Sequence, residues 1–418
     1  MKHTIPISSL GPLGGAMAEA VQTCVHCGFC LPACPTYAVL GQEMDSPRGR
    51  IVLMKSVLEG DLPLEAALPH VDRCLGCLGC ETACPSGVRY RELISPFRQK
   101  AQEERRRSAA ETLRRTALLQ LLPYPSRFRW AARLGGIAKP FRALMPKSVR
   151  PMLDLLPDTL PPADMLPALV PAQGIRRARV ALLAGCAQQV LAPQINRATL
   201  LVLAKNGVEV VIPHRQVCCG ALAWHVGAGD AAREFARKNL AAFPRDVDAV
   251  LTNAAGCGSG LHEYPLMLRG HPEEAAAGEF AHKVQDVCAF LDALGLSAPI
   301  PEPDRKWVVA YHDACHLSHA QGVRAAPRNL LRSIPGLELR EISDGDICCG
   351  SAGSYNVDQP AIAAELGRRK VVRILETGAD FLVSGNIGCL TQIATHLRSA
   401  PRCIEVLHTV ELLARAMA

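Results

Sequence analysis

Apolar positions follow two different rhythms along this chain. Near the N-terminus, "DSPRGRIVLMKSVLEG" puts Ile51, Met54, Val57 and Leu58 on one face at helical period, which predicts a helix. Ser46 is placed to cap it, Pro47 suits its first turn and Gly60 ends it. From residue 179 onward the pattern changes to short β-rich apolar runs, each followed by helix-compatible sequence such as "AQQVLAPQINRATLLVLAKNG". Strands alternating with helices predict a parallel sheet with helices on its faces. Between the two regions, "LPDTLPPADMLPALVPAQG" is too rich in proline for either element and reads as a tether or wrapping arm. The longest apolar stretches, such as "ALLQLL" at 117–122, fall far short of the roughly 20 residues a spanning helix needs.

The α/β region repeats itself. "RVALLAGCAQ" (179–188) returns as "WVVAYHDACH" (307–316), and "VVIPHRQVCCGA" (210–221) as "LREISDGDICCGS" (339–351). "DAVLTNAAGCGS" (248–259) returns as "DFLVSGNIGCLT" (380–391). The offsets are 129 for the first cysteine, 130 for the pair and 132 for the last. Four segments are therefore expected: 1–97, a basic and Pro-rich arm at 98–178, a first half at 179–300 and a second at 301–418. Each repeat would set its cysteines at the carboxyl ends of strands, where open α/β sheets collect ligands.

Eighteen cysteines lie in 418 residues. Pro and Gly interrupt the N-terminal "MKHTIPISSLGPLGGAMAEA", so no secretory leader is predicted and a cytoplasmic location is expected. In that compartment thiols stay reduced, which favours metal binding or catalysis over a disulfide framework. "CVHCGFCLPACP" (24–35) and "CLGCLGCETACP" (74–85) share the spacing C-x2-C-x2-C-x3-C-P, that of two-cluster ferredoxins. Three thiolates spaced by three can wrap one loop around a cube, while the fourth starts the next helix and points to the other cluster. This reading assigns Cys24, Cys27, Cys30 and Cys84 to one [4Fe–4S] cluster, and Cys74, Cys77, Cys80 and Cys34 to the other. Gly28, Gly76 and Gly79 suit loops whose backbone must approach sulfide closely. Tetrahedral zinc uses C-x2-C pairs but has no use for a third cysteine three residues on with a distal partner.

The repeats supply two further sets: Cys186, Cys218, Cys219 and Cys257, then Cys315, Cys348, Cys349 and Cys389. Four thiols at one sheet edge would repel as thiolates unless a cation neutralised them, so a further iron–sulfur or other metal centre is expected in one or both halves. His312, His316 and His319 surround Cys315 and could orient ligands or carry protons, although each also suits an ordinary structural role. Cys288 and Cys403 stand outside both patterns on apolar segments and are expected to be buried small hydrophobes.

The net charge of +7 is uneven: residues 98–150 alone carry +11, with Phe128, Trp130 and Phe141 among the arginines. That block suits a solvated connector docking on an acidic partner, or a segment lying on anionic lipid. No nucleic-acid motif accompanies it, so nucleic-acid binding is not expected. "GSAGS" and similar stretches lack the G-x-G-x-x-G spacing after a strand, so no dinucleotide fingerprint is found.

With "CVHCGFCLPACPTYAVLGQEMDSPRGRI", "DRCLGCLGCETACPSGVRY", "GCAQ", "CCGA", "GCG", "CCGSAGSYN" and "NIGCLTQ" in place, the chain resembles the iron–sulfur subunits of respiratory flavin dehydrogenases and the cysteine-rich subunits of heterodisulfide reductases. The match is fullest with the glycolate oxidase (glycolate dehydrogenase) iron–sulfur subunits. The resemblance implies an α-helical two-cluster ferredoxin domain followed by an α/β domain of two pseudo-repeated parallel-sheet halves. It also implies a relay with no catalytic residue of its own, fed by a partner FAD subunit that oxidises glycolate and emptied toward membrane quinone. The same relay role would serve a lactate or glycerol-3-phosphate dehydrogenase. One departure separates the chain from heterodisulfide reductases, whose motifs end in C-x2-C: Ala254 and Asn386 stand where the earlier cysteine belongs. That weakens any transfer of disulfide-cleaving chemistry to these sites.

Overall fold

The computed structural model describes residues 3–146 and 149–418; Met1 and Lys2 of the N-terminal reading, and Lys147 of the basic block, lie outside the described residues. The N-terminal region is built from helices α1 (Gly14–Gln22), α2 (Pro35–Leu40), α3 (Pro47–Glu59), α4 (Leu64–Asp72), α5 (Gly79–Thr82) and α6 (Arg91–Glu104). Helix α3 is the one expected from periodicity. The Ser46 hydroxyl accepts from Gly49 N–H at 3.0 Å, Pro47 opens the first turn, and Gly60 closes the helix at φ 84°. Its Ile51, Met54 and Leu58 pack with Met17, Val21, Leu93, Ile94 and Phe97 into one core. Each such side chain contributes roughly 1.5–3 kcal/mol by leaving water.

The segment after this core is more structured than a tether. Helix α6 runs through residue 97 without a break. Two further helices, α7 (Ala109–Leu121) and α8 (Pro125–Ala138), lead to a short α9 (Arg150–Asp154). The arm is strapped to the α/β region by backbone carbonyls. Arg129 donates to Gln189 O at 2.9 Å, and Arg398 donates to Asp154 O and Leu156 O at 2.8 and 2.9 Å.

The arm then enters the first sheet, because β1 (Leu169–Val170) pairs antiparallel with β3 (Val208–Val211). The other strands are β2 (Ala178–Leu183), β4 (Ala249–Thr252) and β5 (Val284–Asp286), in spatial order β1-β3-β2-β4-β5. The second sheet holds β6 (Trp307–Tyr311), β7 (Leu337–Glu341), β8 (Phe381–Ser384) and β9 (Glu405–His408), in order β7-β6-β8-β9. Setting β1 aside, the two orders are the same and every pairing is parallel, as the internal repeat predicts. One apolar core joins the halves, with Leu200, Leu203 and Leu291 from the first against Leu330, Leu331, Leu412 and Leu413 from the second.

Candidate functional site

In the helical region, the loop after α1 carries Cys24, Cys27 and Cys30, and the loop after α4 carries Cys74 and Cys77, with Cys80 in α5. The backbone enters the left-handed region twice in each: at His26 and Gly28 (φ 56° and 88°), and at Gly76 and Leu78 (φ 65° and 62°). Those turns curl each loop around a hollow. One hollow is lined by Cys24, Cys27, Cys30 and Cys84; the other by Cys74, Cys77, Cys80 and Cys34. The fourth cysteine of each run thus sits at the other run's hollow. Cys80 borders both.

The polar surroundings of the second hollow were not anticipated. Arg50 is buried at 1% exposure on the apolar stripe of α3, with Nη2 donating to Thr36 Oγ1 at 3.0 Å and Nη1 3.8 Å from Cys34 Sγ. Its counter-charge is Asp45, wholly buried, which also meets Arg73 and His70 at 3.0 and 3.1 Å. Burial disfavours the Arg50 charge, but the neighbouring Cys74, Tyr90, Cys34 and Asp45 more than offset it and hold the guanidinium charged. Burial also opposes ionisation of Cys74, yet Arg50, Arg98 and the Gly76 N–H pull that thiol below its ordinary value. Cys77 and Cys80 are pushed well up by burial and neighbouring thiols, and Cys30 is pushed up to about 11 mainly by burial. Convergent sulfur donors of which Cys77 and Cys80 resist ionising fit a cationic metal group, which would supply the missing charge.

The α/β sets converge too. Cys186 and Cys218 lie 3.5 Å apart at sulfur, and Cys315 and Cys348 lie 3.9 Å apart. In the first half, hydrogen bonds from Cys218 and Cys257 pull Cys219 well below its ordinary value; in the second, Cys348 and Cys389 do the same to Cys349. The donating partners are held well up in return. Gly220 and Gly350 follow the pairs at φ 82° and 91°, and a Cβ on Gly350 would lie 2.7 Å from Ala363 O, so only glycine suits that turn. At the missing fifth cysteine, Asn386 Nδ2 donates to Cys389 Sγ at 3.5 Å.

The three histidines separate. His312 lies with Cys349 and Cys389, their ligand atoms within 4.8 Å of one another. His316 and His319 turn toward the helical region, meeting Gly76 O and Thr82 Oγ1, each at 3.0 Å. Cys288 is buried as expected, but Cys403 is exposed, because it lies in the loop before β9 where no element covers it.

The second-half set abuts the helical region. Cys315 and Cys348 share an apolar cluster with Leu75, Cys77 and Tyr355, and Tyr355 Oη donates to Arg73 O at 2.8 Å. Arg98 spans to the first half, donating to Cys74 O at 2.6 Å and His225 O at 3.0 Å. His225 stands edge-on to His316 at 5.3 Å and 3.6 Å from the buried Glu263. Sequence reasoning missed this junction. Arg50 alone left a signal, a charge on the apolar stripe of a predicted helix.

Comparison with known proteins agrees with this layout. The 4Fe-4S dicluster domain family matches residues 20–88, and the cysteine-rich domain family matches residues 180–262 and 309–394. A probable glycolate oxidase iron-sulfur subunit of Bacillus subtilis (strain 168) is 38% identical over 388 residues, covering 88% of this chain and 87% of that protein. The glycolate oxidase iron-sulfur subunit of Escherichia coli (strain K12) is 36% identical over 406 residues, 95% of this chain and 94% of that protein. Lactate utilization protein A of Oceanobacillus iheyensis is 31% identical over 237 residues, 56% of this chain and 96% of that protein. The crystal structure of a hypothetical protein from Helicobacter pylori shares the fold, with a TM-score of 0.57 at 10% identity over 98% of this chain and 73% of that one.

Proposed function

The chain belongs to the family of glycolate oxidase iron–sulfur subunits, and from that premise we propose that it is the electron-transfer subunit of a glycolate dehydrogenase complex. Cys24, Cys27, Cys30 and Cys84 hold one [4Fe–4S] cluster, and Cys34, Cys74, Cys77 and Cys80 hold the other. When bound, such clusters accept and release electrons one at a time. The observation that carries the reading is the pair of four-thiol hollows with Cys80 on their common wall, the second pressed against Cys315 and Cys348. The protein's own contribution is to bury Cys34 and Cys74, to hold the Arg50 charge beside them and to fix the spacing between sites. The cysteine pairs of the two halves are further metal centres. Substrate oxidation falls to a partner subunit carrying FAD, since this chain offers no dinucleotide fingerprint.

A quinone-type acceptor would place the complex at the cytoplasmic face of a membrane. Among the described residues, no helix is long and apolar enough to cross one. Peripheral contact is supported by Trp130, Leu134, Ile137 and Phe141, which recur at helical spacing and are all more than half exposed within the basic segment 98–150. Lactate as the parent substrate is the second reading, supported by the partial match to lactate utilization protein A.

The deciding experiment is iron and acid-labile sulfide per chain in anaerobically purified protein, with EPR after reduction. About eight irons are expected from the two ferredoxin clusters alone, and more if the cysteine pairs are loaded. The chain alone should not oxidise glycolate with a dye acceptor, and should be reduced by glycolate once its flavin partner is added. Glycolate oxidation by the chain alone would overturn the reading.

A further inference from the structure

The two halves differ three residues before the first cysteine of each set. The offset of 129 that places Cys315 on Cys186 pairs His312 with Leu183. Leu183 closes β2 and packs in the apolar cluster that holds Cys218 and Cys219. His312 follows β6, its backbone N–H donating to Val383 O at 2.9 Å, so the sheet fixes where the imidazole stands. That imidazole is wholly buried, and among the described residues neither ring nitrogen has a partner in hydrogen-bond geometry, the Cys349 thiol being the group it faces. Buried polar groups are almost always satisfied, and one that is not points to a ligand. The nearest donors able to share such a ligand are Cys349 and Cys389, whose sulfurs lie within 4.8 Å of a ring nitrogen and of each other. His316 and His319 do not join that group: His316 Nε2 meets Gly76 O, its Nδ1 being unpartnered, and both ring nitrogens of His319 are engaged by Thr82 Oγ1 and Asp346 O.

We propose that the second-half centre is a mixed imidazole–thiolate metal site, with His312 as a ligand beside Cys349 and Cys389, whereas the first-half centre is all thiol. The inference rests on reading the cysteine pairs as metal centres. Nitrogen and sulfur donors together suit iron or zinc. A neutral imidazole in place of a thiolate leaves the site one negative charge lighter, which for iron makes reduction easier than at an all-thiolate site. The halves would then be unlike in chemistry although alike in fold.

The test uses the full chain, purified anaerobically with natural-abundance or 15N-labelled histidine. Metal per chain is first compared between wild type and Cys389→Ser, which should lose the second-half metal alone. Histidine nitrogen bound to the metal is then sought by pulsed EPR if it is iron, or by absorption at the zinc edge if it is zinc. The expected result is a bound nitrogen in the wild type that disappears in His312→Leu and in His312→Cys, with His312→Cys keeping its metal. Absence of that nitrogen in a wild type whose metal depends on Cys389 overturns the proposal, and so does its survival in either variant. If Cys389→Ser loses no metal, the reading of the second half as a metal centre fails first, and this inference falls with it. Should His312→Leu not fold, the labelled wild type and His312→Cys still decide.

Discussion

Arg50 offers a direct test of how the helical region tunes its thiols. In Arg50→Met the buried positive charge beside Cys34 is removed while the side-chain volume is largely kept. Two unit charges at the 3.8 Å between Arg50 Nη1 and Cys34 Sγ interact by about 4 kcal/mol at an effective dielectric of about 20. An added electron shared by a group with four thiol ligands feels about half of that, about 2 kcal/mol, or roughly 80 mV for one electron. The potential of the cluster at Cys34, Cys74, Cys77 and Cys80 should therefore fall by that amount. The cluster on the far side of Cys80 should move much less. The substitution also strands Asp45, and breaking a buried pair costs about 3–5 kcal/mol. Asp45→Asn combined with Arg50→Met removes both charges, so it should recover part of that loss and shrink the potential shift. Anaerobic redox titration followed by EPR reads both signals. A rise in potential, or equal shifts in the two signals, would refute the reasoning.

Four further outcomes are expected. Cys34→Ser should remove the signal belonging to Cys74, Cys77 and Cys80, and Cys84→Ser that belonging to Cys24, Cys27 and Cys30, each with loss of roughly four irons of eight. Asp286 caps the helix Val287–Leu294 through Cys288 N–H at 2.8 Å, and burial pushes its carboxyl up to about 6. The folded state thus binds the extra proton between about pH 4 and 6, and stability from this group falls as pH rises through that window. Asp286→Asn should match wild type below pH 4 and exceed it by roughly 2–3 kcal/mol above pH 6, as read from paired denaturation curves. Gly49→Ala would drive a Cβ into the Glu43 carbonyl, at the turn that seats Asp45 and Arg50, and should cost about 1–3 kcal/mol of unfolding free energy in urea titration. Trp130→Glu with Ile137→Glu should weaken sedimentation with anionic vesicles at least about tenfold without altering iron content.

Much of the architecture was legible because its signals are local. Ser46, Pro47 and Gly60 delimit α3 through capping and turn chemistry that acts within a few residues. The doubled cysteine spacing exchanges Cys34 and Cys84 between the two loops, an assignment that iron analysis of the Cys34→Ser and Cys84→Ser variants tests. The repeat foretold two matching sheets. What escaped were the arrangements made by distant segments. The strand at Leu169–Val170 sits in a proline-rich stretch and owes its conformation to pairing with β3. Helix α6 crosses the expected boundary at 97 because Leu93, Ile94 and Phe97 face the core on one turn after another. Cys403 has apolar neighbours in sequence but none covering it in space. The meeting of His225, Glu263 and His316 draws on three separate elements, and nothing in their spacing announces it.

Cys315, Cys348, Cys349 and Cys389 are all nearly sealed from solvent, and the Cys74–Cys77 loop packs over two of them. Thiols roofed in this way are shielded from oxidants and chelators once the N-terminal region has settled. On the proposal that this set holds a metal, iron or zinc offered to the folded metal-free chain should enter slowly, and faster when the Cys74–Cys77 loop is loosened.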